Sequence, residues 1–173
     1  MNEPGRRAGR ANLNAPEGTT HLHVRTAAPA PRDAAKIALG AGRGAWLGTR
    51  LDAPESGGDS QRYALDLEMP LGDGASPISL RKAAVVDVGP LTEEVVGGPM
   101  CALVSWRAAS LAPLFPVFSG SLCWSDGELD IDGYYAPPGG RVGIAADRII
   151  MRLVAERTAR WLLGRAIHAM NVR

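Results

Sequence analysis

Cysteine is scarce in this chain, with Cys101 and Cys123 alone among 173 residues. Two cysteines cannot form the framework of a disulfide-dense secreted scaffold, and neither lies in a CxxC pair. Three scattered histidines give no recognisable metal motif. Aromatic residues make up only 5% of the chain, so the position of each ring carries weight. No apolar run reaches the roughly 18 residues that a membrane-spanning helix needs. Charge of one sign is also missing: 19 basic and 18 acidic residues are intermixed, for a formal net charge of +1. Such a balance gives no general attraction to nucleic acid or to an anionic membrane surface. The stretch Met1–Arg10 is basic, but no apolar segment follows it, which does not fit a secretory signal. Together these absences predict a cytoplasmic protein with reduced thiols and no membrane span.

What is present is a pattern of one globular domain. The hydrophobic share is 46%, and a chain of this length buries roughly 70% of its unfolded surface. Residues 1–18 are rich in Gly, Arg, Asn, Ala and Pro without apolar periodicity and read as a disordered tail. Residues 19–173 read as the folded domain. Its first strand is predicted over Thr20–Thr26, where Leu22 and Val24 alternate with His21, His23 and Arg25. A short helix follows over Asp33–Leu39 and stops at a glycine cluster. Ala45-Trp46-Leu47 fits either a further helical turn or the start of a strand. Further strands are predicted over Tyr63–Met69, Ile78–Val88, Leu91–Val96, Ala102–Ala108, Ser119–Trp124 and Glu128–Tyr135. Ser125-Asp126-Gly127 marks a hairpin before the last of them. A helix of about 26 residues then runs from Gly143 to near Met170, with a stripe of Met151, Ala155, Thr158, Leu162, Ala166 and Met170 at helical spacing. Arg152, Glu156 and Arg160 stand at i,i+4 steps on another face.

The block Leu129–Gly143, with Gly133-Tyr134, Pro137-Pro138-Gly139 and the helix start Gly143-x-x-x-Asp147, resembles the end of bacterial members of the START-like, helix-grip superfamily. The element order over residues 19–171 resembles that superfamily too, which includes polyketide cyclase-like and lipid-transfer proteins. The resemblance implies an α+β fold: a curved antiparallel sheet of about six to seven strands around a long C-terminal helix, with a small helical insert after the first strand. It also implies a mainly apolar cavity between sheet and helix. No catalytic signature carries over.

Several constellations admit a chemical and a plainer reading. Glu128-x-Asp130-x-Asp132-Gly133 has the opening spacing of a calcium loop, but the position for the bidentate Glu is Gly139. Alternation with Leu129 and Ile131 reads as a strand with a wet acidic face. Pro137-Pro138-Gly139-Gly140 beside Arg141 could present amides to an anion, yet a turn from sheet to helix accounts for it. His21 and His23 share a strand face but have no third ligand at useful spacing. On one strand, Ala102, Val104 and Trp106 share one face while Leu103, Ser105 and Arg107 share the other. If Arg107 faced the cavity, its fork could hold a carboxylate or phosphate. Leu111–Phe118 is an apolar segment broken by two prolines, so it cannot pair throughout as a central strand. It reads as a lid with Phe115 and Phe118 as gates, or as an edge plug or partner surface.

The resemblance, with the many apolar strand faces, implies a binder of a small hydrophobic or amphipathic ligand, lipid- or polyketide-like, held between sheet and C-terminal helix. The candidate ligand-binding residues are Tyr63, Trp106, Arg107, Phe115, Phe118 and Tyr134, with Arg25, Arg81 and Tyr135 as further polar groups. No cofactor or metal is expected, and no nucleic-acid partner. The first alternative is a polyketide cyclase- or dehydratase-like enzyme, whose acid or base would be Asp66, Glu68, Asp87 or Tyr134. The second is a protein-interaction module with a core filled by Trp46, Trp106, Trp124 and Trp161.

Overall fold

The structure is a computed structural model. It describes residues 17–40, 44–51, 60–70, 79–109, 116–136 and 145–172, without the side chains of 67–70, 79–82 and 145–150. The expectations for the tail, for Phe115 and for the Pro137–Gly143 turn therefore lie outside the described residues.

The chain begins with strand β1 (Thr20–Ala27) and helix α1 (Arg32–Gly40). Seven strands follow: β2 (Thr49–Leu51), β3 (Gln61–Pro70), β4 (Ser79–Val88), β5 (Thr92–Glu93), β6 (Met100–Ala108), β7 (Val117–Ser125) and β8 (Glu128–Ala136). Helix α2 (Ala145–Asn171) closes the described fold. The sheet is antiparallel, in the order β1-β8-β7-β6-β4-β3-β2, and β5 lies beside β6. The first strand thus pairs with the last, at one edge of the sheet. The strand beyond those expected is the short β2, and Ala45-Trp46-Leu47 forms a turn before it.

Alternation in the sequence becomes two faces of the sheet. Leu22 and Val24 of β1 point inward, as do Met100, Ala102, Val104 and Trp106 of β6 and Leu129, Ile131 and Tyr135 of β8. Their neighbours in sequence point to the outer face. The hairpin between β7 and β8 turns on Asp126 and Gly127, at φ 51° and 78°. Positive φ at both central residues is the two-residue turn whose twist matches paired strands.

Bending of the sheet also has a local cause. Between the pairs Val88–Val104 and Thr92–Cys101 the β4–β5 edge spends one residue more than β6. Gly89 and Pro90 lie in this interval, and the Gly89 amide still donates to the Leu103 carbonyl at 2.8 Å. An extra residue on one strand increases twist and bends it. The strand expected over Leu91–Val96 is only Thr92–Glu93. Glu93 then turns back: its carboxylate accepts from the Gly97 amide at 2.6 Å and from Arg32 at 2.7 Å, and Gly98 N–H bonds the Val95 carbonyl.

Helix α2 packs on the inner face against β1, β8 and β3, and against α1. Met151, Val154, Ala155, Thr158, Ala159, Leu162, Leu163, Ala166 and Met170 are buried, the stripe that the helical spacing predicts. Burying each large apolar side chain here contributes about 1.5–3 kcal/mol. The opposite face carries the expected charges: Arg152 and Arg160 both donate to Glu156. Arg152 is held above its ordinary pKa, chiefly by that hydrogen bond, with Tyr135 contributing.

One expectation is overturned. Cys101 and Cys123 are not free thiols but a disulfide joining β6 and β7, with Cα atoms 4.2 Å apart. They are directly opposed in the register and share the half-buried outer face. Single cysteines 22 residues apart in sequence give no sign of this, because only strand pairing brings them together. The reduced thiols that argued for a cytoplasmic protein are thus removed as support. Among the described residues no helix is long and apolar enough to cross a membrane.

Candidate functional site

Strand register lines up four rings in one row across the inner face. Tyr63 of β3 is opposite Val86 of β4, Val86 opposite Trp106 of β6, Trp106 opposite Phe118 of β7, and Phe118 opposite Tyr135 of β8. Every member of the row is at most 3% exposed. Four of the nine aromatic residues in the chain therefore stand in a single line on the inner face of the sheet. Trp106 and Phe118 are stacked, with centroids 3.8 Å apart and planes inclined by 13°. Such a contact contributes about 0.5–1.5 kcal/mol beyond burial.

Glycine makes room for this stack. Gly120 and Gly133 are opposite each other on the inner face of β7 and β8. A Cβ at Gly120 would lie 2.7 Å from the Phe118 ring, and one at Gly133 would lie 2.8 Å from it. Either Cβ would also collide with the facing backbone, with Asp132 O for Gly120 and with Ser119 O for Gly133. The ring rests on a glycine floor, which explains two interior strand glycines that packing alone would disfavour.

The polar atoms of this region are few. Tyr63 donates its hydroxyl to Gln61 Oε1 at 2.8 Å. Thr158 of α2 donates to the Val154 carbonyl at 2.8 Å. At the far side of the sheet Trp124 donates Nε1 to the Ala28 carbonyl at 3.4 Å, and Arg32 lies 5.8 Å over its ring. Trp106 Nε1 and Trp46 Nε1 are buried and have no acceptor among the described residues. Trp46 sits between the α1–β2 turn and α2, where Arg165 donates to its carbonyl at 2.9 Å.

By register Arg50 of β2 and Glu93 of β5 stand opposite the inward Tyr63 and Met100, and the other charges of the described strand residues lie on the outer face. There His21 pairs with Asp132 at 2.6 Å, His23 with Asp130 at 3.4 Å and Arg25 with Glu128 at 3.1 Å, all diagonal across β1 and β8. The acidic strand face is thus complemented by basic groups of its neighbour. Asp87 accepts from Arg62 at 2.6 Å and from Arg107 at 3.3 Å. Arg62 is held above its ordinary pKa by the hydrogen bond to Asp87, with burial opposing. Among the described residues no group of three or more His, Cys, Asp or Glu is placed to hold a metal ion.

The residues singled out from sequence divide accordingly. Tyr63, Trp106 and Phe118 come together in the row. Arg107 lies on the outer face against Asp87, and Tyr134 lies there against the His21 ring at 5.3 Å. Arg25 also points outward, in its pair with Glu128. The side chain of Arg81 and all of Phe115 are outside the described residues. Of the acid or base candidates, Asp66, Asp87 and Tyr134 are on the outer face and the Glu68 side chain is not described. Tyr135 takes the inward place. The signal for it was present: Asp130 and Asp132 mark the wet face of β8, and Tyr134 shares their parity.

No protein-family model matches this chain, and no curated protein sequence does. Solved structures do match. The Zhui aromatase/cyclase from Streptomyces sp. R1128 superposes with a TM-score of 0.54 at 14% identity, over 88% of this chain and 93% of that one. The di-domain aromatase/cyclase BexL from the BE-7585A biosynthetic pathway gives 0.53 at 15% identity, over 91% of this chain. The chain spans about half of BexL, 52% of its length. Ara h 8.0201 gives 0.50 at 9% identity, over 88% of this chain and 98% of that one. At such identities the likeness is one of fold. The chain has the helix-grip fold, with an eight-stranded antiparallel sheet folded around α2.

Proposed function

We propose that this chain binds a small hydrophobic or amphipathic molecule between the aromatic row and α2. The observation that carries the reading is the row itself: Tyr63, Trp106, Phe118 and Tyr135 aligned by register on the inner face, with one indole N–H left without an acceptor among the described residues. Ligand sites are mostly apolar and aromatic with a few placed polar groups, and this face has that composition. Flat rings on the floor favour a flat ligand, lipid- or polyketide-like, and the aromatase/cyclases among the similar folds are consistent with one. Binding without catalysis is preferred over acid–base chemistry because Asp66, Asp87 and Tyr134 face the wrong side of the sheet.

A second reading has its own support. The row is closed to solvent, so a ligand enters only if its cover moves, and a filled core with an external protein partner uses the same packing. Native mass spectrometry of the purified protein, followed by solvent extraction, separates the two. A co-purifying apolar molecule, or a thermal shift with a flat aromatic probe, supports binding. A bare protein mass with no shift across an apolar panel rejects it in favour of the filled core.

A further inference from the structure

We infer that Trp106 determines which ligand is accepted, by donating its indole N–H to a neutral oxygen acceptor on a flat molecule; this rests on the binding reading above. Trp106 is 1% exposed, and its Nε1 has no acceptor among the described residues. A buried donor without a partner is rare, and its free-energy cost is recovered when an acceptor reaches it. The neighbours in the row cannot serve. Phe118 and Val86 have no side-chain acceptor, and the Tyr63 hydroxyl, two strands away, donates to Gln61.

The electrostatic setting narrows the ligand further. Among the described residues of β3, β4, β6, β7 and β8 no inward side chain is Lys, Arg or His, while Arg50 of β2 stands opposite Tyr63 at the exposed edge of the row. Arg62 and Arg107, the cations nearest in sequence to the row, face outward to Asp87. A carboxylate or phosphate head beside Trp106, three strands from Arg50, would be desolvated without an adjacent counter-charge among the described residues. A ketone, ester or ether oxygen requires only one donor. The accepted class is therefore an uncharged, ring-bearing molecule with an oxygen acceptor, not a free fatty acid or a phosphate ester. Trp46 offers a second unpaired N–H, but it lies outside the row, at the α1–β2 turn.

The test compares fluorenone, which carries a carbonyl, with fluorene, which does not, on the wild-type protein and on Trp106→Phe. Phenylalanine keeps a ring beside Phe118 and removes the donor together with part of the ring area, a loss of area that both probes share. The fluorenone-to-fluorene affinity ratio is expected to be about tenfold higher in the wild type, or about 1.4 kcal/mol. Comparing ratios cancels the different hydration of the two probes. Fluorenecarboxylate should bind more weakly than either. If Trp106→Phe does not fold, the wild type alone still answers: the 15N-labelled Trp106 indole resonance should move downfield with fluorenone and not with fluorene. Equal ratios in both proteins, or an unmoved indole resonance at saturation, would overturn the role of Trp106 while leaving ligand binding intact. Binding of neither probe would remove both.

Discussion

Replacing Gly133 by alanine tests whether the floor of the site is set by backbone or by side chains. A Cβ there meets the Phe118 ring at 2.8 Å and also the facing Ser119 carbonyl and Gly120 Cα. A ring can turn aside, whereas paired backbone cannot without giving up part of the β7–β8 ladder. Over-packing in a dense core costs about 1–3 kcal/mol, and two backbone conflicts place Gly133→Ala at the upper end, about 3 kcal/mol. At roughly 2–4 °C per kcal/mol for a domain of this size, the melting temperature should fall by about 6–12 °C. Urea unfolding followed by tryptophan fluorescence gives the same quantity as a lower midpoint at unchanged slope. The cycle with Phe118→Leu then separates the causes. Trimming the ring should recover only a minor share. Recovery to the level of Phe118→Leu alone, or a cost for Gly133→Ala below about 1 kcal/mol, would refute the backbone argument.

Three further outcomes are expected. Cys101→Ala with Cys123→Ala opens a cross-link between residues 22 apart in sequence and should cost about 3 kcal/mol by loop entropy; thermal unfolding with and without reductant checks it, and an unchanged melting temperature with both thiols free by mass would contradict it. Glu93 is held below the ordinary glutamate range, first by the Gly97 amide and then by Arg32 and the more distant Lys36, with desolvation opposing. Its folded value lies below its unfolded one, so its contribution is full above about pH 4.3 and fades as pH falls through the lowered value. Wild type should therefore melt higher than Glu93→Gln near neutrality, with the gap closing on acidification; a gap that widens in acid would reverse the sign. Asp126→Gly should be nearly neutral or mildly stabilising in urea unfolding, since Asp126 sits at φ 51° where glycine is at ease, and a large loss would mean that its side chain holds the turn.

Much of the fold was legible because two periodicities are written into the chain. Leu22 and Val24, or Leu129 and Ile131, alternate with charge and can only be half-buried strands. Met151 to Met170 repeats at helical spacing and can only be one face of a long helix. Strand ends, the Asp126-Gly127 hairpin and the inner stripe of α2 follow from such local rules. The length of β5 did not, because Leu91–Val96 alternates well enough. Its early end depends on Glu93 meeting Arg32 and the Gly97 amide, and Arg32 is distant in sequence.

The candidate site was legible by half. Tyr63, Trp106 and Phe118 were within reach of sequence reasoning as large rings on apolar strands. Which face of β6 turns inward was not: the faces of Trp106 and Arg107 are equally regular, and the choice follows from where α2 lies. Parity along β8 does separate Tyr134 from Tyr135, once the acidic residues are taken as the wet side.

By itself the sequence determined the elements and the alternation of apolar and polar faces along them, since these depend on neighbours a few residues apart. Only the tertiary structure decided that four rings share one row, that Cys101 meets Cys123, that Gly120 and Gly133 form a floor, and that one indole N–H lacks an acceptor among the described residues. Each of those depends on the register between strands far apart in the chain, and register is settled by the sheet as a whole closing around α2.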